Sequence, residues 1–443
     1  MNFTDFFKGK KITVMGLGLL GRGVGDAIYL AEAGAELIIT DLKSESDLEE
    51  SVSQLKIYPN VKFKLGGHDF ADFENRDFIL KAAGVPLNSP YIAHARKNNV
   101  KIEMSASLFL KLSKLFCIGI TGTRGKSTVT HLIYHTLKNA GKSFLLGGNV
   151  LGVSNLQLLS KVDGKDGVVM ELDSWQLQGF GEDMLFPHLA VFTTFMPDHM
   201  NYYDNDMNKY FRDKAYIYEF QRDKDVLIAG ADVSGYIKQS DIQQLGRMIV
   251  PKRELPDGFK VNLIGAHNEY NASIALSVLR EYGLSDEEIQ DGFLSFKGVP
   301  GRLEAVRKLK GVLYFNDTTA TTPDATLAAL HAFKDYKKQI ILIMGGSDKG
   351  LDMSKLMNDI PKYVKSVYLL EGSGTERIEP YTSGWKNIVR GKYKGLTYAI
   401  FDACAEAESG DIILMSPAFA SFGMFKNEFD RGEQFNSVVN ALA

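Results

Sequence analysis

Cysteine is nearly missing: two thiols, Cys117 and Cys404, in 443 residues. Cys117 falls in an apolar strand pattern and Cys404 in a helical one, with no metal-ligand spacing between them. A disulfide framework and a cysteine metal site are therefore not expected, and the compartment is expected to be reducing and cytoplasmic. A surplus of one charge is missing too. Lys and Arg number 51 against 54 Asp and Glu, a formal net of −3, which leaves no basic field for nucleic acid or an anionic membrane. No apolar run approaches the ~20 residues a bilayer crossing needs, so no membrane span is expected. The opening stretch "MNFTDFFKGKKITVMG" lacks a cationic start followed by a long apolar stretch. It runs straight into a strand pattern and does not read as a signal peptide. Tandem repeats and low-complexity tracts are also lacking.

What is present is ordinary globular material, 45% hydrophobic and 24% charged. At ~150 residues per domain the chain suggests three. Short apolar strands alternate with helical stretches throughout. "KKITVMG", "AELIITD", "VKFKLGG" and "DFILKAAG" read as strands around the helix "GRGVGDAIYLAEAG". A second group runs from "LFCIGITG" through "DGVVMELD", "HLAVFTTF" and "DVLIAG", with helices at "KSTVTHLIYHTLKNAG", "MNKYFRDKAYIYEFQ" and "NEYNASIALSVLREYG". A third holds "GVLYFND", a helix from Pro323, "QIILIMGG", "SVYLLEG" and "DIILMSPA". This rhythm predicts an α/β fold with mostly parallel sheets in three domains, residues 1–114, 115–299 and 300–443. The first and last read as Rossmann-like and the central one as P-loop-like.

Two glycine-rich loops follow strands and open helices. In "MGLGLLGRGVGD", Gly16, Gly18 and Gly21 form G-x-G-x-x-G, and Asp41 ends the next strand 20 residues after Gly21. That pattern suits NAD. The same geometry suits the diphosphate of any nucleotide, a UDP-sugar included, or simply a tight strand–helix turn. In "GITGTRGKSTVTH", the run Gly122, Thr123, Arg124, Gly125, Lys126, Ser127, Thr128 leads from a strand into a helix. Glycines let backbone N–H groups face phosphate oxygens, the helix N-terminus adds its dipole, Lys126 can reach the β- and γ-phosphates of ATP, and Ser127 can ligate Mg²⁺. The strict G-x-x-x-x-G-K-S spacing fails because residue 120 is Ile, and the strand–loop–helix context carries the assignment.

Other residues are ambiguous one at a time. Glu171 ends the strand "DGVVMELD" and is placed as a strand-end carboxylate for Mg²⁺. His199 lies in "MPDHMNYY", where a structural histidine is the plainer reading, and Lys214 in "YFRDKAYIY" alone reads as a solvated helix charge. Asn268 and Asn271 share a helix face and could be mere caps. Arg302 in "PGRLE" and Asp317 in "YFNDTT" add a cation and a strand-end acid.

Their order along the chain is more specific. Gly-Thr-x-Gly-Lys-Ser is followed by Glu-Leu-x-Ser-x-Gln-Leu, Asp-His-Met, a lysine in "YFRDKAYIY" and Gly-x-His-Asn-x-x-Asn. Gly-x-Pro-x-Arg, Asn-Asp-x-x-Ala-Thr and Ser-Pro-Ala-x-Ala-Ser then complete the series. This series resembles the Mur ligase family over essentially the whole chain. The resemblance implies an ATP-dependent ligase of peptidoglycan precursor synthesis. It would join D-glutamate to UDP-N-acetylmuramoyl-L-alanine through an acyl phosphate, with L-glutamate or another amino acid as the alternative acceptor. A dehydrogenase using the first loop is a distant third reading, which leaves the second loop idle. A cytoplasmic monomer is expected, with no nucleic-acid partner.

It also distributes roles. Gly18, Leu19, Leu20, Gly21, Asp41, Leu42, Lys43, Gly84 and Asn149 match positions that hold the UDP precursor. Gly122 to Thr128, with Asn268, Asn271, Arg302 and Asp317, match the ATP site; His267 belongs to the same motif. Ser127, Glu171 and His199 match the ligands of two Mg²⁺ ions, and Lys214 matches a lysine that the family carbamylates. Thr321, Lys349, Ser421 and Phe422 match amino-acid contacts. Four departures stand out: Thr319 where Lys is usual, Phe422 for Leu, Glu428 for Phe and Arg124 for Asn.

Overall fold

The structure is a computed structural model and describes residues 3–18, 21–336, 338–385 and 387–443. Leu19 and Leu20, both assigned to the first loop, lie outside the described residues. Among the described residues the strands form three sheets.

The first sheet has the order β3-β2-β1-β4-β5, with β1 Lys11–Met15, β2 Glu36–Asp41, β3 Val61–Leu65, β4 Phe78–Lys81 and β5 Lys101–Glu103, all parallel. β1 is buried after its first residue and β4 along its whole length, because helices cover both faces of a parallel sheet. The helix α1, Arg22–Glu32, crosses from β1 to β2. The chain order reverses between β1 and β4, and that switch point is where such sheets take ligands.

The second sheet runs β11-β10-β9-β6-β8-β7, with β6 Cys117–Thr121, β7 Phe144–Gly148, β8 Gly167–Glu171, β9 Leu189–Phe192, β10 Val226–Ala229 and β11 Arg247–Ile249, again all parallel. Its helices include α2 Lys126–Asn139, α3 Ser174–Glu182, α4 Met207–Ala215 and α5 Ala266–Tyr282. The third sheet runs β12-β13-β17-β14-β15-β16, with β12 Glu304–Leu309, β13 Val312–Asn316, β14 Ile340–Gly345, β15 Val364–Leu370, β16 Val389–Tyr393 and β17 Ile412–Met415. Only its β12–β13 pair is antiparallel. The helix α6, Glu428–Ala441, closes the chain.

The expected α/β class and its parallel sheets are observed. Five strands were not anticipated: β5, β7, β11, β12 and β16. β12 and β16 alternate exposed and half-buried residues along "EAVRKL" and "VRGKY", so edge strands rich in Lys and Arg carry no apolar run to mark them. The helix expected over "MNKYFRDKAYIYEFQ" ends earlier, at Ala215, and turns follow.

Two compact units emerge: residues up to Leu255 with Asn271–Phe293, and Pro256–Tyr270 with Leu294–Ala443. The first holds the first two sheets over one continuous core, in which Leu30 and Leu80 belong to the same cluster as Phe109, Phe180 and Tyr218. The second packs the third sheet between two clusters, one around Leu342 and Leu414 and the other around Ile343 and Phe435.

Candidate functional site

The first loop leaves β1 through Gly16 and Gly18, both with positive φ, and Gly21 (φ 76°) caps α1 in the left-handed region. A Cβ on Gly16 would stand 3.0 Å from Ala82 Cβ, so the loop lies tight against the end of β4. On Gly18, Gly21 or Gly84 a Cβ would meet no described atom within 4 Å. A cavity of about 210 Å³ opens here, lined by Gly16–Gly18, Arg22, Lys81–Gly84, Met104 to Ala106, Asn155 and Gln176 among others. Asp41 is buried and its carboxylate faces inward: Oδ2 accepts Leu17 N–H at 2.9 Å and Oδ1 accepts Lys43 N–H at 3.0 Å. It therefore ties the loop to the end of β2, while Leu42 and Lys43 beside it are exposed.

Beneath this cavity lies a residue that sequence reasoning missed. Lys81 ends β4, is buried, and donates to the carbonyls of Ala82, Ala83 and Val85 at 3.2, 3.3 and 2.6 Å. Burial pushes its ammonium down to about 8, against the pull of Asp173 and Asp213.

The second loop follows β6 and is clamped. Thr123 N–H donates to Thr194 O at 2.8 Å, Arg124 N–H to Thr194 Oγ1 at 2.8 Å, and Thr193 Oγ1 to Arg124 O at 2.6 Å. A Cβ on Gly122 would fall 2.0 Å from Thr193 Oγ1, and one on Gly125 2.5 Å from Asn271 Oδ1. Gly125 caps α2 without a side-chain hydrogen bond, so the helix N-terminus keeps the character of an anion site. Lys126 Nζ donates to Gly122 O at 2.9 Å and Thr123 O at 3.2 Å. Ser127 and Thr128 are buried in the first turn of α2.

Lys214 comes to the same place from α4. It is buried, lies 4.8 Å over the Tyr210 ring, and its Nζ donates to Gly122 O at 3.0 Å. One carbonyl oxygen thus receives two lysine side chains. Burial first, and the Lys126 charge second, hold the Lys214 ammonium well below its ordinary value. A lysine that reads from sequence as a solvated charge is instead an amine biased toward its neutral form.

Glu171 ends β8, where the β6–β8 register sets it opposite Ile120, at the mouth of the loop. Its backbone carbonyl accepts Asn149 N–H at 2.6 Å, and its Oε1 accepts Asn149 Nδ2 at 3.4 Å. His199 (φ 54°) lies against Trp175, ring centroids 4.7 Å apart and tilted by 53°, with Nε2 3.9 Å from Asp198 Oδ2. Burial lowers its pKa. Burial also works to raise Asp198, but His199, Arg124 and Lys126 outweigh it and hold that carboxyl below the usual range. Among the described residues no group of three or more His, Cys, Asp or Glu could hold a metal unaided. One hydroxyl and one carboxylate near a phosphate loop fit Mg²⁺, which commonly keeps one or two protein oxygens and takes the rest from phosphates and water.

The second unit carries the remaining residues. Asp317, beyond β13, accepts Leu303 N–H at 3.1 Å and Ser416 Oγ at 2.8 Å. Burial pushes it up to about 7, and the hydrogen bonds and Arg302 offset only part of that rise. Asn268, in the first turn of α5, is buried and donates to Ile264 O at 2.9 Å; His267, beside it, is lowered by burial. Lys349 Nζ donates to Thr321 Oγ1 at 2.9 Å; Ser421 is buried and Phe422 exposed. Thr319, the residue in place of a lysine, donates its hydroxyl to Gly301 O at 2.9 Å. Glu428 is the first residue of α6, where a carboxylate suits the helix dipole. Behind them Arg431, also missed, is fully buried and donates to Thr318 O at 2.8 Å and Phe419 O at 3.3 Å.

Three family models match along the chain: "Mur ligase MurD-like, N-terminal domain" over residues 10–103, "Mur ligase middle domain" over 120–250, and "Mur ligase, glutamate ligase domain" over 301–419. The UDP-N-acetylmuramoylalanine--D-glutamate ligase of Roseiflexus sp. (strain RS-1) is 34% identical, with 98% of this chain and 99% of that protein covered. The enzyme of the same name from Borreliella burgdorferi (strain ZS7) is 35% identical, with 99% of each covered. Among solved structures, the UDP-N-acetylmuramate-alanine ligase of Thermotoga maritima superposes with a TM-score of 0.62 at 17% identity, over 98% of this chain and 99% of that one. The Thermotoga maritima MurF ligase in complex with ADP gives 0.58 at 16% identity, over 99% and 97%. At those identities the likeness is one of fold.

Proposed function

Because the chain belongs to the Mur ligase family, we propose that it adds D-glutamate to UDP-N-acetylmuramoyl-L-alanine. The coarser activity follows from the membership itself: ATP-dependent amide-bond formation in peptidoglycan precursor synthesis, on a three-domain α/β fold. The domain limits 1–114, 115–299 and 300–443 are part of the proposal. So are a cytoplasmic location and a monomeric state. No helix among the described residues is long and apolar enough to cross a membrane.

The observation that carries the reading is the convergence of Lys126 and Lys214 on Gly122 O. A carboxylate is a poor electrophile, so the γ-phosphoryl group of ATP is transferred to it and an acyl phosphate forms. The incoming amine attacks the acyl carbon, forms the C–N bond and gives up a proton, and inorganic phosphate leaves with the electron pair of the broken C–O bond. The work of the protein is positioning and charge neutralisation. Lys126 and the first turn of α2 hold the phosphates. Ser127 and Glu171 would hold one Mg²⁺ and His199 a second, and these ions would supply neutralisation of phosphate charge. Lys214, as a neutral amine, attacks CO₂ and loses a proton to solvent. The carbamate anion that results would help orient a bound metal cation, which an ammonium would repel. Asn149 holds the acceptor. Asn271, Arg302 and Asp317 hold adenine, phosphate and ribose, and Asn268 belongs to the same nucleotide site. Gly18 to Gly21, Asp41 to Lys43 and Gly84 hold the UDP part. Asp41 acts there by shaping the loop, since both its oxygens are engaged by backbone.

Thr321, Lys349, Ser421 and Phe422 are the proposed amino-acid contacts. Thr319 favours a second reading, in which the same chemistry takes L-glutamate or another amino acid, because a cation is replaced by a hydroxyl bonded to Gly301. The test is phosphate release from ATP with the UDP precursor and a panel of amino acids. Release that requires the precursor and is fastest with D-glutamate is the expected result. A faster rate with another amino acid selects the second reading, and release independent of the precursor overturns both.

A further inference from the structure

Arg22 has no role in the reading above, and its placement is unusual. It is the first residue of α1, at the helix end where the dipole disfavours a cation. It lines the first cavity. Its Nη1 donates to Asn149 Oδ1, across 127 residues of sequence. That bond turns the Asn149 amide so that Nδ2 points the other way, to Glu171 Oε1 at 3.4 Å. The backbone repeats the link, with Asn149 N–H on Glu171 O at 2.6 Å. A continuous path therefore runs from the first loop to the strand-end carboxylate beside the second.

The path has a firm seat. One turn along α1, buried Asp26 accepts Ser154 Oγ at 2.6 Å and Leu156 N–H at 2.9 Å. A Cβ on Gly25 would fall 2.7 Å from Ser154 Cβ. The helix is pressed onto the segment that follows Asn149, which sets the Arg22 backbone beside the amide. Among the described residues the hydrogen bond to Asn149 is the only one the Arg22 guanidinium makes, and a guanidinium carries five N–H donors in a fork that matches phosphate oxygens.

We propose that Arg22 is a positioning residue for acyl activation: it binds a phosphate of the nucleotide precursor with its remaining donors and, through Asn149, holds Glu171 in place. This rests on the ligase reading and extends it. Arrival of the diphosphate in the first loop then orders the carboxylate at the second, which joins precursor binding to phosphoryl transfer.

The experiment uses the full-length protein with UDP-N-acetylmuramoyl-L-alanine, ATP and Mg²⁺. It compares the wild type with Arg22→Met, Arg22→Lys, Asn149→Ala and the Arg22→Met/Asn149→Ala pair. Calorimetry with the precursor alone, without ATP or Mg²⁺, should show an affinity loss on the order of tenfold for Arg22→Met, the scale of one charge-assisted hydrogen bond, and a smaller one for Arg22→Lys. The kcat of Arg22→Met should also fall, with the KM for ATP unchanged. In the pair, kcat should be no lower than in Asn149→Ala, because both lesions cut one path. Unchanged precursor affinity in Arg22→Met overturns the proposal, as does lost affinity with kcat intact, or multiplied kcat losses in the pair. If Arg22→Met does not fold, Arg22→Lys carries the same comparison at smaller size. A wild type that releases no phosphate with precursor and any amino acid refutes the ligase reading instead. Calorimetry with UDP then still decides whether Arg22 meets a diphosphate.

Discussion

The two glycine-rich loops look alike on paper and are built differently. Around Gly18, Gly21 and Gly84 a side chain would find open space, whereas at Gly122 and Gly125 it would collide with Thr193 and Asn271. The first loop is held from outside, by Asp41 on Leu17 N–H, and faces a cavity. The second is clamped by Thr193 and Thr194 on both sides. Each has a buried lysine under it, and these differ as well. Lys81 satisfies three carbonyls, while Lys214 meets one carbonyl already shared with Lys126. Glycine in the first loop therefore serves backbone conformation and room for a ligand. In the second it serves close packing around a preformed phosphate seat. An ammonium with three acceptors stays an ammonium near neutral pH; one with a shared acceptor and a cationic neighbour is biased to the amine.

The largest effect should come from the lysines of the second loop. Lys126→Ala should lower turnover on the order of a thousandfold, the scale of removing one donor from a charge-stabilising site, while calorimetry finds precursor affinity kept. Comparable losses of both would erase the distinction between the loops. Lys214→Ala should be nearly inactive and partly restored by a short-chain carboxylic acid that takes the place of the carbamate. A fully active Lys214→Ala would leave the buried amine without a role.

Glycine substitutions test the packing directly. At Gly122, with φ 143° and 2.0 Å to Thr193 Oγ1, alanine meets both backbone strain and overlap. Overpacking costs about 1–3 kcal/mol, and a backbone conformation essentially restricted to glycine adds roughly 1–3 kcal/mol more. At Gly18, with φ 71° and open space, only the backbone cost of about 1 kcal/mol applies. Thermal unfolding should therefore show Gly122→Ala as clearly the less stable variant. Equal shifts would mean that the two loops are alike after all.

The sequence shows the parts that announce themselves locally. Gly-rich turns between a strand and a helix, Lys126, and strand-end Glu171 and Asp317 all sit where elementary α/β rules put them. The features it hides are single polar residues whose partners lie far along the chain. Arg22 meets Asn149, and Asp26 meets Ser154, across more than a hundred residues, with no periodicity to flag either. Lys81 interrupts an apolar strand and reads as an exposed charge until its carbonyl partners are in place. Arg431 lies in a charged helix pattern that gives no hint of complete burial. Asp41 was legible as a strand-end acid, but its inward hydrogen bonds depend on how the loop folds back. The edge strands β12 and β16 stayed hidden because half-exposed strands need no hydrophobic run.

Each glycine-rich loop pairs backbone N–H groups with one cationic side chain, Arg22 at the first and Lys126 at the second. The amino-acid end has only side chains proposed for its carboxylate, among them Lys349, which donates to Thr321 Oγ1. Lys349→Ala should therefore raise the KM for glutamate about tenfold, the scale of one hydrogen bond to a charged group, and leave the KM for ATP nearly unchanged. Thr319→Lys should not abolish activity. A Lys349 variant with an unaltered glutamate KM would place the carboxylate elsewhere.

The last expected effect separates the two buried lysines by pH. Lys81 is pushed from 10.5 down to about 8, burial being the main cause and Asp173, Asp213 and Glu182 opposing it with Arg96 adding to it. A lysine whose folded value is lowered binds fewer protons folded than unfolded between those two pH values. Stability therefore rises with pH in that window, and below pH 8 the whole burial cost is present. Removing the side chain abolishes this slope but also strands the carbonyls of Ala82, Ala83 and Val85. Lys81→Met should thus be the less stable protein, and its deficit relative to the wild type should widen as pH rises from about 8 to 10.5. The widening should amount to a few kcal/mol at most, a handful of degrees in Tm for a unit of this size. Thermal unfolding of both proteins from pH 7 to 10 reads it. A deficit that stays flat, or narrows, would show that Lys81 remains an ordinary ammonium, and that burial beneath the first loop is far milder than beneath the second.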